Sequence, residues 1–482
     1  MDLTDSTEHG VTDATDEVFS QWEETSSVPG VAYGVVRNGV LVHAGGLGVA
    51  SVGGTTPGAD TVFRIASMTK SFTASAVLLL RDEGALRLDD PLAAHLPVAA
   101  VLDERDGPPV TLRDLLTMGV GLATDDPWGD RQESLPIADF DALVAGGLSA
   151  CWPNRTAFEY SNTAYALLGR VIEQVSGVDY PTFVRERLCV PLGMADTGFD
   201  PKDVPADRRA TGYRIAADGT PVPEPLVAPG AYSAMGGLLS SVRDLAMWVG
   251  GFTESWTGNG EGHPVDRWSR REAQEMARFI AVEPLPDGGS VAGGYGLGLG
   301  VQQHSVLGRI VSHSGGYPGF GSHMRWHPAS GWGVVALGNA TYAPMHVPVA
   351  EALSRIVTMT DVAHGESPAV VVEPWPATIA AMDVVEQLLA GDDSGVVDST
   401  WSPNMDLDIP RAERIAQLSG VREAVGAFTR DDASVRHPSP ARATWTVAGE
   451  TGSARLEVWM TPERHPRIQK LVVTRVLDPA DK

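Results

Sequence analysis

A serine and a lysine three residues apart are the pair in this chain whose types and spacing best suit chemistry. Lys70 lies three residues after Ser67. The chain contains four lysines, and the other three are Lys202, Lys470 and Lys482. Residues i and i+3 lie on the same face of a helix, so the ammonium can reach the hydroxyl. Because a bare serine is a poor nucleophile, a neighbouring amine that accepts its proton would activate it. The alternative is a surface lysine one turn from a serine that caps a helix.

A second polar group, Tyr160-Ser161-Asn162, lies between a turn and a predicted apolar helix. A corner between a loop and a helix is a good place to present polar side chains. A nearby ammonium favours the phenolate form of a tyrosine, so Tyr160 could share general acid–base work with Lys70. The alternative is a packed tyrosine with a satisfied hydroxyl and an Asn that caps the helix.

A third group, His313-Ser314-Gly315-Gly316, follows a strand-like run. Glycines beside a strand allow a substrate backbone to approach closely, which makes Gly315 a candidate substrate contact. The N–H of Gly316 could supply one oxyanion donor, with the N–H of Ser67 as the other. A lone histidine near a turn is usually structural. His313 is a candidate site residue only because the other two groups accompany it in the sequence.

In this order, S-x-x-K, Y-x-N and H-x-G resemble the motifs of the serine β-lactamase and penicillin-binding-protein superfamily. The resemblance is to its class C branch, with D-alanyl-D-alanine carboxypeptidases, family VIII-type esterases and D-aminopeptidases. It covers about residues 15 to 360, and it includes the flanking stretches 63–67, 112–118, 158–162, 192–194, 235–238 and 313–316. One departure is the segment 118–122, Met-Gly-Val-Gly-Leu, where many relatives carry a His-Thr-Ser-Gly-Leu type of sequence.

The resemblance implies an acyl-enzyme mechanism without a metal or cofactor. Ser67 would attack a carbonyl while Lys70 and Tyr160 move its proton. The N–H groups of Ser67 and Gly316 would hold the oxyanion. Asn162 would hydrogen-bond Lys70 or the substrate amide, and water activated near Tyr160 would release the acid.

The third motif also bears on the substrate. Relatives with lysine at its first position offer a fixed cation to a substrate carboxylate, as in penicillins or D-Ala-D-Ala. Here that position is His313, which is mostly neutral at pH 7. This favours an ester or a small amide, although Arg309 or Arg325 could supply a cation instead.

Three functional hypotheses therefore remain. The first is a serine hydrolase of small-molecule esters or small amides, of which D-aminopeptidase, carboxypeptidase or β-lactamase activities are the less favoured forms. The second is an acyltransferase or peptide cyclase on the same scaffold, in which an amine or alcohol replaces water. The third is a non-catalytic binding or sensor protein.

The charge balance excludes other classes of partner. Lys and Arg number 36 against 61 Asp and Glu, which gives a net charge of −25, whereas proteins that bind nucleic acids or anionic membranes need basic surfaces.

The N-terminal stretch lacks the basic and apolar regions of a signal peptide. No apolar run approaches the roughly 18 residues of a membrane span. We therefore expect a cytoplasmic protein with no nucleic-acid or membrane partner; the sequence does not fix the oligomeric state, and a homo-oligomer is compatible with it.

The predicted elements would bring the three groups together. A helix is predicted over 67–84, and its N-terminus favours negative charge developing at Ser67. Asn38-Gly39 predicts a hairpin with a type I′ turn. Later strands are predicted at 295–303, 308–313, 321–327 and 332–338. All strands would form one antiparallel sheet, with the site in a cleft between this sheet and an all-α lobe at about 85–230.

Two loops, 119–135 and 252–292, are expected to shape the cleft. The second is rich in Gly, Pro and charge and is predicted to be a long loop near the site mouth, with a helix around 268–280.

The expected fold class is α+β: a β-lactamase-like fold, an antiparallel sheet flanked by helices with an all-α lobe, followed by a small C-terminal α+β domain. The predicted boundaries are a serine hydrolase domain at 1–361, a linker at 362–376 and an accessory domain at 377–482. The accessory domain should contain two helices and three strand runs, at 432–447, 451–461 and 468–477. A nuclear-transport-factor-2-like cone is the first expectation and a lipocalin-like barrel the second. It could cap the cleft, mediate dimerisation, or do neither.

Overall fold

Two separate sheets, each with its own core, organise the protein. The computed structural model describes residues 5–104, 107–257, 262–285, 288–360, 373–392 and 396–476. The larger unit lies before residue 360 and the smaller after residue 373. The predicted linker at 362–376 falls largely outside the described residues, so the domain limits stay a prediction.

Strands and helices occur in blocks, as in an α+β fold. The strands are β1 (Gly30–Arg37), β2 (Val40–Gly48), β3 (Phe63–Arg64), β4 (Tyr213–Ile215), β5 (Pro221–Pro223), β6 (Leu239–Ser240), β7 (Arg278–Pro284), β8 (Ser290–Tyr295), β9 (Gly300–His304), β10 (Gly308–Tyr317), β11 (Phe320–His327), β12 (Trp332–Gly338), β13 (Phe428–Ser439), β14 (Arg442–Gly449), β15 (Ser453–Met460) and β16 (Ile468–Val476). The α-helices are α1 (Asp5–Glu23), α2 (Thr69–Asp82), α3 (Leu92–His95), α4 (Leu112–Leu116), α5 (Ile137–Ala145), α6 (Asn162–Ser176), α7 (Tyr180–Val184), α8 (Ser233–Gly236), α9 (Val242–Thr257), α10 (Arg267–Ala273), α11 (His346–Met359), α12 (Pro376–Ala390), α13 (Val396–Thr400), α14 (Asn404–Asp408) and α15 (Arg411–Val425). Among the described residues, no helix combines the length and the apolar character needed to cross a membrane.

The main sheet carries the third motif on β10, near its middle. Its order is β2-β1-β12-β11-β10-β9-β8-β7, and each neighbouring pair is antiparallel. This confirms that the first and last strand groups share one sheet. The β1–β2 hairpin turns at Asn38 and Gly39, both with positive φ, as the type I′ signal predicts.

The prediction of a long loop at 252–292 is wrong over most of that range. Helix α9 continues to Thr257, α10 follows, and β7 then pairs with β8 at the edge of the sheet. Edge strands tolerate charge and proline because one side needs no partner, so Arg278 and Pro284 gave β7 the composition of a loop. The predicted strand at 295–303 is likewise two elements, the end of β8 and most of β9.

The lobe at 85–230, predicted to be all-α, contains the helices α3 to α7 but also the short strands β4 and β5. They pair with each other across a turn in which Gly219 has φ +84. Strands of three residues are too short to show the period of two that marks a strand in a sequence.

The C-terminal unit is an open antiparallel sheet in the order β13-β14-β15-β16, against which α12 and α15 pack. Trp445, Leu456 and Val458 alternate with more exposed residues and fill the core under the helices. The predicted strand run at 432–447 is in fact a hairpin, since β13 and β14 divide it. With β13 and β16 at its edges, the described sheet is not the closed barrel that was the second expectation.

Candidate active site

Ser67 lies in a 3-10 turn, Ala66–Met68, that runs directly into α2. Ala66 has φ +48, a left-handed conformation that a side chain disfavours and that the surrounding packing must impose. The helix behind it is buried from Thr69 to Leu80. The core of the larger unit therefore holds the turn, and Ser67 remains only 6% exposed.

Lys70 is fully buried and uses its ammonium in three contacts. Its Nζ lies 2.9 Å from Ser67 Oγ, 2.6 Å from Asn162 Oδ1 and 2.8 Å from the carbonyl oxygen of Met235. Burial lowers the pKa of Lys70 to about 8, although nearby carboxylates oppose that shift. The predicted contact between serine and lysine is thus present.

The partners of Lys70 determine where its lone pair points once it is neutral. Asn162 Oδ1 and the Met235 carbonyl can only accept hydrogen bonds. A neutral amine would give its two hydrogens to these oxygens, which leaves the lone pair directed at Ser67 Oγ. The arrangement suits a base that removes the serine proton.

Tyr160 lies beside both Ser67 and Lys70. Its hydroxyl hydrogen-bonds Ser67, and its ring centroid is 4.8 Å from Lys70 Nζ. The expectation of a favoured phenolate is wrong, because burial raises the pKa of Tyr160 well above its usual value and the charge of Asp126 adds to the rise. Tyr160 is therefore a neutral phenol, able to relay a proton rather than to act as a phenolate base.

Asn162 is oriented by two carboxylates. Its Nδ2 donates to Asp126, and its backbone N–H donates to Asp125 Oδ1 at 2.6 Å. Thr163 gives Asp125 two more hydrogen bonds, at the N-terminus of α6. Burial raises the pKa of Asp125 to about 6 even so. With its amide hydrogens directed at Asp126, Asn162 must present Oδ1 to Lys70.

The segment 118–122, which departs from many relatives, lies beside the second motif. The Met118 carbonyl accepts a hydrogen bond from the N–H of Glu159, and its sulfur lies 3.4 Å from the N–H of Ser161. Met118 also has φ +55, and Gly121 has φ +73. The segment therefore supports the Tyr160 corner from behind and does not replace a catalytic side chain.

His313 is buried beside Tyr160 and Lys70 and is neutral. Its Nδ1 donates to the carbonyl of Ser314 at 2.6 Å, and its Nε2 accepts from the hydroxyl of Tyr295 at 2.9 Å. Burial and the charge of Lys70 lower the pKa of His313 to about 3. Its ring lies 6.5 Å from that of Tyr160. His313 therefore offers no cation to a substrate.

The two glycines of the third motif have different surroundings. A Cβ on Gly315 would lie 2.2 Å from the carbonyl oxygen of Ile65, so only glycine lets β10 pack against the turn that carries Ser67. Gly316, not Gly315, lines the cavity at Ser67. Gly315 is thus placed as a packing residue for the Ser67 turn, whereas Gly316 is placed where an oxyanion donor is needed.

A cavity of about 630 Å³ opens in front of Ser67. On the side of the larger unit its wall is mainly aromatic and polar: Asp126, Phe158, Tyr160, Tyr295, His313 and Tyr342. The C-terminal unit also contributes to the wall, with Met405, Asp408, Ile409, Arg414, Trp459, Gln469, Lys470, Leu471 and Val472. The accessory unit therefore caps the cleft, which was one of its three expected roles.

Specific contacts dock the C-terminal unit on the cavity. Gln469 donates from Nε2 to the carbonyl of Thr124 at 2.7 Å and accepts from the N–H of Trp128 at 3.0 Å. Arg131 forms an ion pair with Asp408 at 2.7 Å. These contacts fix the loop at 124–128, which carries both carboxylates that orient Asn162.

The comparison with known families decides which family this site represents. The profile of the family described as Beta-lactamase matches residues 15–358. The chain belongs to the beta-lactamase family. The beta-lactamase family belongs to one superfamily with the penicillin-binding proteins and other serine hydrolases. The resemblance inferred from the three motifs is therefore confirmed.

Curated relatives of this beta-lactamase family protein are distant. Protein flp of Staphylococcus aureus (strain COL) is 25% identical over 338 residues, 68% of this chain and 64% of the relative. Unguisins hydrolase ungD' of Aspergillus campestris (strain IBT 28561) is 27% identical over 358 residues, 72% of this chain and 65% of the relative. The chain thus spans somewhat under two thirds of the length of these curated relatives.

A solved structure shares the fold of this family member over nearly its whole length. The octameric penicillin-binding protein homologue from Pyrococcus abyssi aligns with a TM-score of 0.57 and 23% identity, covering 96% of each chain. The expected β-lactamase-like α+β fold is therefore confirmed.

Sequence reasoning missed several residues of the site in this beta-lactamase family member. Asp125 and Asp126 lie in the 119–135 loop that was expected to shape the cleft, but nothing in their spacing shows that they bind Asn162. The cavity wall at 405–414 and 459–472 comes from another unit, far along the chain. By contrast, the 252–292 stretch, expected at the site mouth, contributes none of its described residues to the cavity lining.

Proposed function

We propose that the protein hydrolyses esters or small amides through an acyl-enzyme on Ser67. The observation that carries this proposal is the set of three contacts at Lys70, two to obligate acceptors and one to Ser67 Oγ. With its pKa lowered to about 8, Lys70 is partly neutral near physiological pH and can accept a proton.

In the acylation step, Lys70 accepts the proton of Ser67 as Oγ attacks the substrate carbonyl. The carbonyl becomes a tetrahedral oxyanion, which the N–H groups of Ser67 and Gly316 stabilise. The proton then passes through the Tyr160 hydroxyl to the departing alkoxide or amine. The carbon–oxygen or carbon–nitrogen bond breaks, and the acyl group stays on Ser67.

In the deacylation step, water takes the position of the leaving group near Tyr160. Tyr160 accepts a proton from this water while passing its own toward Lys70, and the hydroxide attacks the ester carbonyl. Collapse of the second oxyanion returns the proton to Ser67 Oγ and releases the acid. Asn162 keeps Lys70 in place through both steps.

The neutral third motif supports an ester or small amide over a penicillin. A penicillin-type substrate would need a cation at the first position of that motif, and His313 is uncharged there. The two arginines considered as substitutes are engaged elsewhere: Arg309 forms two hydrogen bonds to Glu275, and half-buried Arg325 donates to Gln302. Neither arginine lines the cavity.

Four chromogenic substrates test the proposal: p-nitrophenyl acetate, p-nitrophenyl butyrate, nitrocefin and D-Ala-p-nitroanilide. We expect wild-type turnover of the two esters and loss of that turnover in Ser67→Ala. Turnover of nitrocefin or of the anilide alone would replace the proposal by a β-lactamase or an aminopeptidase. A fluorophosphonate that labels Ser67 while all four substrates remain intact would support the acyltransferase hypothesis, and no labelling would overturn a nucleophilic Ser67.

Assembly and compartment also stay proposals. The octameric state belongs to the Pyrococcus abyssi relative by its description. For this chain we propose a homo-oligomer, which light scattering after gel filtration would measure, and a cytoplasmic location, which cell fractionation would test.

A further inference from the structure

The less buried face of the C-terminal sheet carries a lysine that lines the cavity in front of Ser67. Trp459 on β15 pairs directly with Arg442 on β14 and with Lys470 on β16. Residues directly opposite each other in a sheet have side chains on the same face. Lys470 Nζ accordingly lies 4.1 Å from the centroid of the Trp459 ring, and both residues line the cavity.

Two cations among the described residues line the cavity, Arg414 and Lys470, and only Lys470 has no acceptor bound to its charged group. The guanidinium of Arg414 donates to the carbonyls of Met405 and Leu471, and Lys70 belongs to the catalytic group. Glu457, the acidic residue nearest along the sheet face, binds Trp459 Nε1 and lies 3.6 Å from Arg442. Within the described ranges, no carboxylate lies at ion-pair distance from Lys470.

Lys470 is also partly removed from water. Burial lowers its pKa, and only the more distant charges of Glu457 and Asp126 oppose that change. A partly desolvated ammonium without a bonded counter-ion gains more from an anionic ligand than an exposed one does.

We propose that Lys470, held against Trp459, binds a carboxylate of the substrate whose ester or amide Ser67 attacks. The substrate class is thus an ester or small amide with an apolar body and a carboxylate remote from the scissile bond. This inference rests on the proposed acyl-enzyme chemistry. Lys470 belongs to the C-terminal unit, so it does not replace a cation at the first position of the third motif.

The rest of the cavity gives such a substrate one orientation. The lining also includes the aromatic residues Tyr160, Tyr295 and Phe158 and the apolar residues Leu471 and Val472. Asp126 lies on the wall of the larger unit, where its charge repels a carboxylate. The anionic end therefore turns toward Lys470 and the carbonyl toward Ser67.

Matched pairs of esters test this subsite. One pair, p-nitrophenyl valerate and mono-p-nitrophenyl glutarate, differs by a carboxylate on the acyl side. The other, phenyl butyrate and 3-carboxyphenyl butyrate, differs by one on the leaving group. In wild type we expect the carboxylate ester of at least one pair to have the higher kcat/KM, and Lys470→Met to lower that ratio roughly 10-fold.

Two variants control for the substitution itself. Lys470→Arg keeps the charge and should keep the ratio. Lys202→Met removes a lysine whose side chain is 82% exposed and should also leave the ratio unchanged. Equal ratios in wild type and Lys470→Met for both pairs would overturn the subsite.

Calorimetric binding separates this inference from the proposed function, because it needs no turnover. We expect 4-phenylbutyrate to bind wild type more tightly than 4-phenylbutanamide, and Lys470→Met to bind both equally. If this difference is absent in wild type, the subsite is wrong even when neutral esters are hydrolysed. If the difference is present but Ser67→Ala retains ester turnover, the acyl-enzyme proposal fails and the anion site stands.

Discussion

The Oδ1 atom of Asn162 lies 2.6 Å from Nζ of Lys70, and this contact sets the geometry of the candidate catalytic group. Asn162 cannot rotate to present its amide hydrogens, because Asp126 already accepts one of them. Lys70 therefore faces an acceptor on this side and a second acceptor at the Met235 carbonyl. A buried amine that must donate twice has one direction left, toward Ser67.

The first prediction concerns the charge beside Lys70. With wild type, kcat/KM for p-nitrophenyl butyrate should rise with pH and level off above an apparent pKa of about 8, because Lys70 must lose its proton to act as a base. Asn162→Asp places a carboxylate on the ammonium, which favours the charged form and moves this limb up by about one unit or more. A pH–rate profile of each protein measures the shift. A loss of activity that is equal at every pH, with no displaced limb, would show that Asn162 only supports the fold.

The second prediction is a pH dependence of stability. The pKa of Lys70 is about 8 in the folded protein, below the usual lysine value of 10.5, so the folded state binds fewer protons than the unfolded state between these values. Stability from this group therefore rises with pH across that window. Relative to Lys70→Met, wild type should gain about 3 kcal/mol in unfolding free energy between pH 7 and 10.5.

Urea unfolding of both proteins at several pH values measures this gain, because tyrosines and other titrating groups are shared and cancel in the difference. A constant difference between pH 7 and 10.5 would mean that Lys70 titrates normally despite its burial.

Local spacing was sufficient to predict the contact between Ser67 and Lys70 but not the surroundings of this pair. Ser67 and Lys70 lie one helical turn apart, so their contact follows from the helix itself. Lys470 could not be predicted in the same way, since its place in the cavity depends on the strand register with Trp459 and on docking of a second unit. Strand β7 escaped detection because it buries none of its residues fully on either face, so its sequence shows no apolar alternation.

The third prediction concerns the packing of β10 against the Ser67 turn. Gly315→Ala would place a Cβ 2.2 Å from the Ile65 carbonyl oxygen, which neither backbone can accommodate without moving. We expect a loss of about 1–3 kcal/mol in stability from the overpacking. Because the displaced atoms adjoin the nucleophile, kcat should fall about 100-fold.

Gly293→Ala is the matched control for Gly315→Ala. It lies on β8 of the same sheet, and its Cβ would meet only the Ala281 carbonyl oxygen, at 3.7 Å. Thermal unfolding and ester turnover should both remain near wild type in this control. Equal effects of the two alanines would show that the sheet, not the Ser67 turn, responds to Gly315.

The last prediction tests whether the C-terminal unit positions the catalytic group. Gln469 satisfies the Thr124 carbonyl and the Trp128 N–H, and the loop between them carries Asp125 and Asp126. Gln469→Leu removes these two hydrogen bonds and a third, to the Met460 carbonyl, at about 1–3 kcal/mol for each buried backbone group left unpaired. The freed loop would orient Asn162 less well, so we expect kcat for p-nitrophenyl butyrate to fall about 10-fold with little change in KM. Gln417→Leu, an exposed change on α15, should alter neither quantity. A Gln469→Leu protein that loses stability but keeps the wild-type kcat would show that the C-terminal unit only covers the cavity and does not position its chemistry.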